Sequence, residues 1–533
     1  MPSGSQFRSL ENCIRKATPR PEDAPVPPSP RDVPDRPARR TTNEEREERG
    51  VELDAPFLPT EECGCCDDEC PVGYASPLEA AKKGHREKIV YVPCIVPSKE
   101  KPDYLAVVCV DHHSPDFCKV IYRLSMPHKG DELHHMNWNT CSSCYGKPNK
   151  RRNRLILPCL NSDRVYVVDL SHNIRKPTLL KVVEPEEMHA LGLATPHTPH
   201  CLADGNVMIS TMGNPDGSAK GCFFVLDGST LTLRNVCAPP CKCAAFGYDY
   251  WYQPRHNVMI SSQWGAPSAF KKGFDMKDVE DGKYGTHIDV WDWPGVVLQK
   301  SLDLGPEGLM PLEVRFLHNP EASEGYVGCA LGSTVWRFFK DQEGSWSVEK
   351  VITIPTKKVK GWILEDMPAV ITDILISLDD RYLYFVCWIH GDIRQYDITD
   401  TRHPKLVGQV FTGGCIYRGG PVTVLHDEEL KEQPERCVIK GKAVRGAAQM
   451  LQLSLDGKRL YATTSLYSAW DKQFYPELYE KGAMMLRVDV DNKNGGLCID
   501  REFLVDFGEE PEGPVLAHEM RFPGGDSTSD IWL

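Results

Sequence analysis

The 533-residue chain holds no run of about twenty apolar residues, so no membrane-spanning helix is expected. Its opening stretch, MPSGSQFRSLENCIRK, lacks the apolar core of a secretory signal. Basic charge is in deficit: 62 Lys and Arg stand against 75 Asp and Glu, a net charge of −13. A general nucleic-acid binder would carry a basic face, and this balance argues against one. A long amphipathic helical pattern is also missing, which leaves strands to build the core. Without a leader, the 21 cysteines are expected as reduced thiols rather than a disulfide framework. The expected compartment is the cytoplasm, with the nucleus or a peripheral membrane position as further options. No apolar stripe calls for a second copy, so a monomer is expected.

What is present divides the chain in two. Residues 1–70 are rich in proline and charge, with eight prolines between Pro19 and Pro37 followed by EEREERG. Such a segment buries too little apolar surface to offset its ordering entropy and is expected to be disordered. It ends in CGCCDDEC, where Cys63, Cys65, Cys66 and Cys70 could hold a metal ion or form a flexible thiol-rich tail. From residue 71 to 533, apolar β-rich runs alternate with Gly, Pro, Asp and Asn turns.

These runs repeat. An apolar strand carrying or ending near an aspartate occurs as VVCVD at Asp111, VYVVDL at Asp169, FFVLDG at Asp227, DVWDW at Asp292, RQYDI at Asp397 and LRVDV at Asp489. STVWRF around Arg337 takes the same slot without the aspartate. A strand, a tight turn and another strand usually precede it, as in CLADGNVMIS, YQPRHNVMIS, ISLDDRYLYF and LSLDGKRLYA. Together they make most of a four-stranded blade. Seven units predict an all-β, seven-bladed β-propeller with long loops over 71–533, with a pair of β-sandwiches as the structural alternative.

A propeller sorts its histidines by face, because the entry to each innermost strand and the exit of the second strand lie at the same end. His197 and His200 enter an inner strand, His518 stands in a similar place near Gly524 and Gly525, and His390 follows RYLYFVCW. His134 and His135 precede the second blade, next to a CxxC made by Cys141 and Cys144. His256 and His318 fall near inter-strand turns and are assigned to the opposite rim. The favoured metal set is His135, His197, His390 and His518, with His134 and His200 in reserve. Imidazoles on one axis suit copper, iron or zinc. Glu519, Asp373 and Glu313 occupy similar entry positions and would orient the rings. Glu519 and Asp373 are the candidate proton carriers. Read singly, each histidine is a hydrogen-bonded loop residue, and Cys141 and Cys144 are either a thiol or metal relay or two reduced loop thiols.

Long stretches resemble one family. GYASPLEA, ELHHMNWNTCSSCYG, YDYWYQPRHNVMIS, WIHGDIRQYDI, LSLDGKRLYATTSLYSAWDKQFYP and GGDSTSDIW are similar to the selenium-binding proteins, from Gly73 to Leu533. The resemblance implies a β-propeller and methanethiol oxidase activity, in which methanethiol, O2 and water yield formaldehyde, hydrogen sulfide and hydrogen peroxide. It also implies copper dependence, as in the bacterial members, and selenium carried on a cysteine that here is Cys118, in SPDFCKV. Read without the family, Cys118 is a small apolar residue at a strand edge. Two other classes stand beside the oxidase. One is a non-enzymatic selenium- or thiol-binding propeller that transports or recruits. The other is a hydrolase with calcium or zinc on the axis, although histidine ligation disfavours calcium.

Overall fold

The structure, a computed structural model, describes residues 72–236 and 243–533. The proline-rich tail, with the Cys63, Cys65, Cys66 and Cys70 cluster, lies outside the described residues. Among the described residues, seven four-stranded antiparallel sheets follow one another, in the manner of a β-propeller, and smaller two- and three-stranded sheets sit in the loops. One edge of each four-stranded sheet is formed by a strand that is buried throughout. In chain order these are Asn137–Trp138, Ala194–Cys201, Tyr250–Gln253, Pro311–Phe316, Ile371–Ile376, Met450–Leu453 and Leu516–Ala517. The opposite edges are far more exposed, as Val120–Lys129, Val297–Asp303 and Lys405–Phe411 illustrate.

The seven aspartate-type units are the third strands of these sheets, counted from the buried edge. The recurring aspartate closes the turn that follows. The carboxylates of Asp111, Asp169, Asp227 and Asp397 each accept the main-chain N–H of the residue two positions on. That side-chain mimic of a turn explains why one residue type ends so many strands.

Neighbouring sheets are tied at their inner strands. Asn137 Nδ2 donates to the Pro199 carbonyl at 2.7 Å, joining the second sheet to the third. Ser210 and Tyr250 link the third and fourth. Asp249 accepts from Val314 N–H at 2.8 Å, and Ala369 N–H donates to Ser333. Asp373 accepts from Leu451 N–H at 2.7 Å, and Gln452 donates to the Met520 carbonyl at 2.9 Å. The last strand, Leu516–Ala517, pairs with Ile89–Ile95, so the C-terminal end completes the first sheet.

The final segment then runs over the CxxC loop. Asp530 accepts from Ser142 N–H and Ser142 Oγ, both at 2.7 Å, and from Arg152 at 2.5 Å. Trp532 donates to the Tyr74 carbonyl at 3.0 Å and packs with Ala80, Leu378 and Leu455. Arg152 and Asp530 are both buried at the side chain. Breaking such a pair leaves a charge without compensation. Asp530→Ala is expected to lower stability by about 3–5 kcal/mol, read as the urea midpoint. A loss below about 1 kcal/mol would remove this contact from the closure of the fold.

Candidate active site

Four imidazoles meet where the chain enters, crosses or leaves three of the buried inner strands. His134 and His135 enter Asn137–Trp138, His197 lies within Ala194–Cys201, and His518 follows Leu516–Ala517. Ligating atoms of His134, His135 and His197 all lie within 4.8 Å of one another. The His518 ring stacks on His134 at 3.8 Å and stands 5.3 Å from His135. All four are buried. The Nε2 atoms of His135, His197 and His518 are buried without a hydrogen-bond partner. Buried polar atoms are normally paired, and these three orphans sit on rings whose centres lie within 5.3 Å of that of His134.

Burial, then the neighbouring imidazoles, hold His134 well below the ordinary histidine value. Burial is the main cause for the others too: it lowers His197 strongly and brings His135 and His518 to about 3. Neutral imidazoles keep a lone pair available to a metal.

Carboxylates and guanidiniums surround the rings. His135 Nδ1 meets Glu519 Oε1 at 3.0 Å, and Met136 N–H donates to the other Glu519 oxygen. Arg521 donates to Glu519 at 2.5 Å. Arg315 donates to Asp249 and Glu313, both at 2.7 Å, and stands 3.9 Å from Asp373. Burial raises Glu519 and Asp373 to about 7. Burial and the charge on Asp249 push Glu313 well up. Burial, the largest single influence, opposes ionisation of Asp249, yet the Arg315 guanidinium, the Glu313 contact and the Val314 N–H together outweigh it and bring Asp249 down to about 2.

Beside His134 lies a cavity of about 20 Å³. Its walls are almost wholly apolar and include Trp264, Met310, Leu312, Val370, Leu466 and Trp470. Tyr248 also borders it and packs on His197 with ring centres 3.9 Å apart. The helix Ser468–Phe474 delivers Trp470, and Ser468 anchors that helix to buried Glu132 through its N–H and hydroxyl.

The other expected site residues lie elsewhere. His200 turns toward Tyr250 and Trp251, with Nδ1 3.4 Å from Asn137 Nδ2. His390 gives Nε2 to the Met367 carbonyl at 3.0 Å, and Lys357, Asp392 and Arg394 are its charged neighbours. His256 and His318 engage the carbonyls of Glu321 and Ile376. Cys118 stands in the turn before the outermost strand of the first sheet, with Sγ 3.9 Å from the Glu502 carbonyl, and burial raises its thiol. Cys141 and Cys144 are buried in a one-turn helix, where Cys141 Sγ lies 3.2 Å from Ser143 Oγ. Burial works against a Cys141 thiolate, but hydrogen bonds from Cys201 and Ser143 bring it below the ordinary thiol value. Burial raises Cys144. Tyr248, Asp249, Arg315 and Arg521 were missed from the sequence. The pattern Glu-x-Arg, present as LEVRF and again as HEMRF, was the available signal.

The model of the 56kDa selenium binding protein (SBP56) family matches residues 67–533. The chain belongs to that selenium-binding family. Methanethiol oxidase of Xenopus laevis is 60% identical over 474 residues, 88% of this chain and 99% of that protein. Methanethiol oxidase of Homo sapiens is 59% identical over 467 residues, 87% of this chain and 98% of that protein. A solved hypothetical selenium-binding protein from Sulfolobus tokodaii superposes with a TM-score of 0.77 at 36% identity, covering 86% of this chain and 98% of its own. A periplasmic gluconolactonase from Pseudomonas aeruginosa shares the fold alone, with a TM-score of 0.50 at 9% identity over 81% of this chain and 98% of its own. Among the described residues of this family member, no helix is long and apolar enough to cross a membrane.

Histidines buried in the neutral form couple folding to acid. Burial, then Lys357, brings His390 from 6.5 to about 4. The unfolded chain therefore binds a proton that the folded chain refuses. The His390 contribution is complete above pH 6.5 and fades as pH falls toward 4, by roughly 3 kcal/mol at most. His390→Gln is expected to flatten the fall of the urea midpoint between pH 6.5 and 4. Equal slopes in the two proteins would assign acid sensitivity elsewhere.

Proposed function

We infer that the chain is a methanethiol oxidase, converting methanethiol, O2 and water to formaldehyde, hydrogen sulfide and hydrogen peroxide at the four-imidazole group. One observation carries this reading: His134 borders a small apolar cavity, and its ring lies against those of His135, His197 and His518, whose Nε2 atoms have no hydrogen-bond partner. Methanethiol has the matching halves, a methyl group for the cavity and a soft sulfur for a metal. The relatives named methanethiol oxidase supply the independent support.

The donor set fits copper, for which imidazole is a suitable ligand. His134, His135, His197 and His518 would hold it. Bound copper supplies one-electron chemistry toward O2 and a soft site for a thiolate.

The chain's own residues bind, orient and carry protons. Met310, Leu312, Trp264 and Trp470 hold the methyl group in an apolar pocket. Glu519 fixes His135 through Nδ1 and so leaves Nε2 free. Arg521 and Arg315 keep the buried carboxylates in place. Glu519 and Asp373, both raised to about 7, can accept or return a proton near neutrality. Cys118 carries selenium at the outer edge of the first sheet, apart from the oxidation. The many buried thiols suit a reducing compartment such as the cytoplasm.

The test is copper per chain by mass spectrometry, paired with peroxide release on adding methanethiol. Wild type is expected near one copper with turnover. The double variant His135→Ala, His518→Ala is expected to lose both, whereas His390→Gln keeps copper. Full copper in the double variant would sink the site assignment. No copper and no peroxide from reconstituted wild type would favour a thiol- or selenium-binding propeller. Glu519→Gln removes a ring-orienting charge and is expected to weaken copper binding about 10–100-fold. Unchanged affinity in a competition with a chelator would deny Glu519 that role.

A further inference from the structure

We propose that Cys222 and Cys243 are a peroxide-oxidisable dithiol whose disulfide ties the segment bearing Tyr248 to its sheet. Cys222 lies in strand Ala219–Leu226, at an irregularity in that strand's pairing with Val207–Gly213. One residue earlier, Gly221 exchanges both main-chain hydrogen bonds with Ala244, at 3.0 and 2.8 Å. In an antiparallel pair, the position next to such a doubly bonded pair is the close one, with Cα atoms about 4.5 Å apart. That position pairs Cys222 with Cys243. The separation falls inside the range of about 4.4–6.8 Å that a disulfide spans. The side chains agree with the backbone: the two Sγ atoms face each other 2.7 Å apart.

The two thiols differ in access. Cys222 is buried and Cys243 is partly exposed. Peroxide therefore meets Cys243 first. The Cys243 thiolate attacks one oxygen of hydrogen peroxide; an S–O bond forms, the O–O bond breaks, and the departing hydroxide takes a proton and leaves as water. The Cys222 thiolate then attacks the sulfenic sulfur; an S–S bond forms, the S–O bond breaks, and a second water leaves. Two thiols give up two electrons, one peroxide takes them, and two waters are produced.

The tether leads to the site. Only four residues separate Cys243 from Tyr248. Between them Gly247 lies so close to the Thr211 carbonyl that a Cβ would stand 2.2 Å from its oxygen. The Tyr248 carbonyl accepts from Ser210 Oγ at 2.6 Å, and its ring packs on His197. A bond at residue 243 thus pins the near end of a segment whose far end borders the cavity.

The experiment is peptide mapping by mass spectrometry of the full chain after alkylation of its thiols without reduction, before and after added hydrogen peroxide. Because the oxidant is added, the result does not depend on the activity proposed above. A peptide linking residues 222 and 243 is expected after peroxide, lost in Cys243→Ser and kept in Cys118→Ser. The oxidised wild type is expected to melt roughly 3 °C higher than the reduced protein, with no such shift in Cys222→Ala. Full alkylation of both thiols after peroxide would overturn the proposal. So would a linkage of Cys243 to Cys237 or Cys241, which lie outside the described residues. If a variant fails to fold, the wild-type map alone decides.

Discussion

Glu519 joins residues almost four hundred positions apart. Its two oxygens receive Met136 N–H and meet His135 Nδ1, while Arg521, two residues on, holds it from the same segment. The last inner strand therefore fastens to the first histidine-bearing loop through a buried carboxylate. The same contact fixes one imidazole ring, so closure of the fold and geometry of the site are one interaction. Pairing of Leu516–Ala517 with Ile89–Ile95 places Glu519, and the Asp530 contacts hold the chain beyond it over the CxxC loop. A disturbance at either end of this path reaches His135 through the backbone.

The charges around the rings explain why so polar a centre can be buried. Two guanidiniums, Arg315 and Arg521, face four carboxyl groups: Asp249, Glu313, Asp373 and Glu519. Full ionisation would leave two excess negative charges in a dry interior. Burial instead drives Glu313 toward its protonated form and leaves Glu519 and Asp373 near the middle of their titration at neutral pH. Asp249 keeps its charge because Arg315, Glu313 and the Val314 N–H together outweigh the cost of burying it. The carboxyl groups thus serve as adjustable counter-charges, which suits a centre whose total charge changes as a metal or substrate arrives.

Much of this was legible in the sequence because it depends on local rules. Strand-ending aspartates mark turns, and here they also mark the third strand of six of the seven sheets. His134, His135, His197 and His518 come together because each sits at or in an inner strand. Sequence periodicity does not reach positions that a strand irregularity or an insertion decides. Between Pro196 and Pro199 the pairing of this strand with Val207–Gly213 shifts register, and His200, just beyond, packs on Tyr250 and Trp251 instead. His390 leaves its sheet as expected from RYLYFVCW. A small sheet formed by Lys357–Lys360, Asp366–Met367 and Thr423–His426 brings the Met367 carbonyl to it. Nothing local announces that contact between distant insertions. The cavity was hidden for the same reason, since its walls come from several sheets and from the helix Ser468–Phe474.

Cavity size constrains where substrate affinity can come from. A space of about 20 Å³ takes only one or two small groups. Even the best tiny ligands gain no more than about 1.5 kcal/mol per heavy atom, so a two-atom thiol gains about 3 kcal/mol from contact alone. That corresponds to binding weaker than about millimolar. Tighter recognition must come through the sulfur, from a bond stronger than packing. Under the proposed reading the apolar walls would limit size on the carbon side, and the imidazole group would be the part able to discriminate sulfur from oxygen. An alcohol of the same size would fill the cavity equally well but offers a hard oxygen, which a soft metal centre would favour less. Selectivity for a small thiol would then follow from a division of labour between apolar walls that measure size and a metal on neutral imidazoles that reads the sulfur.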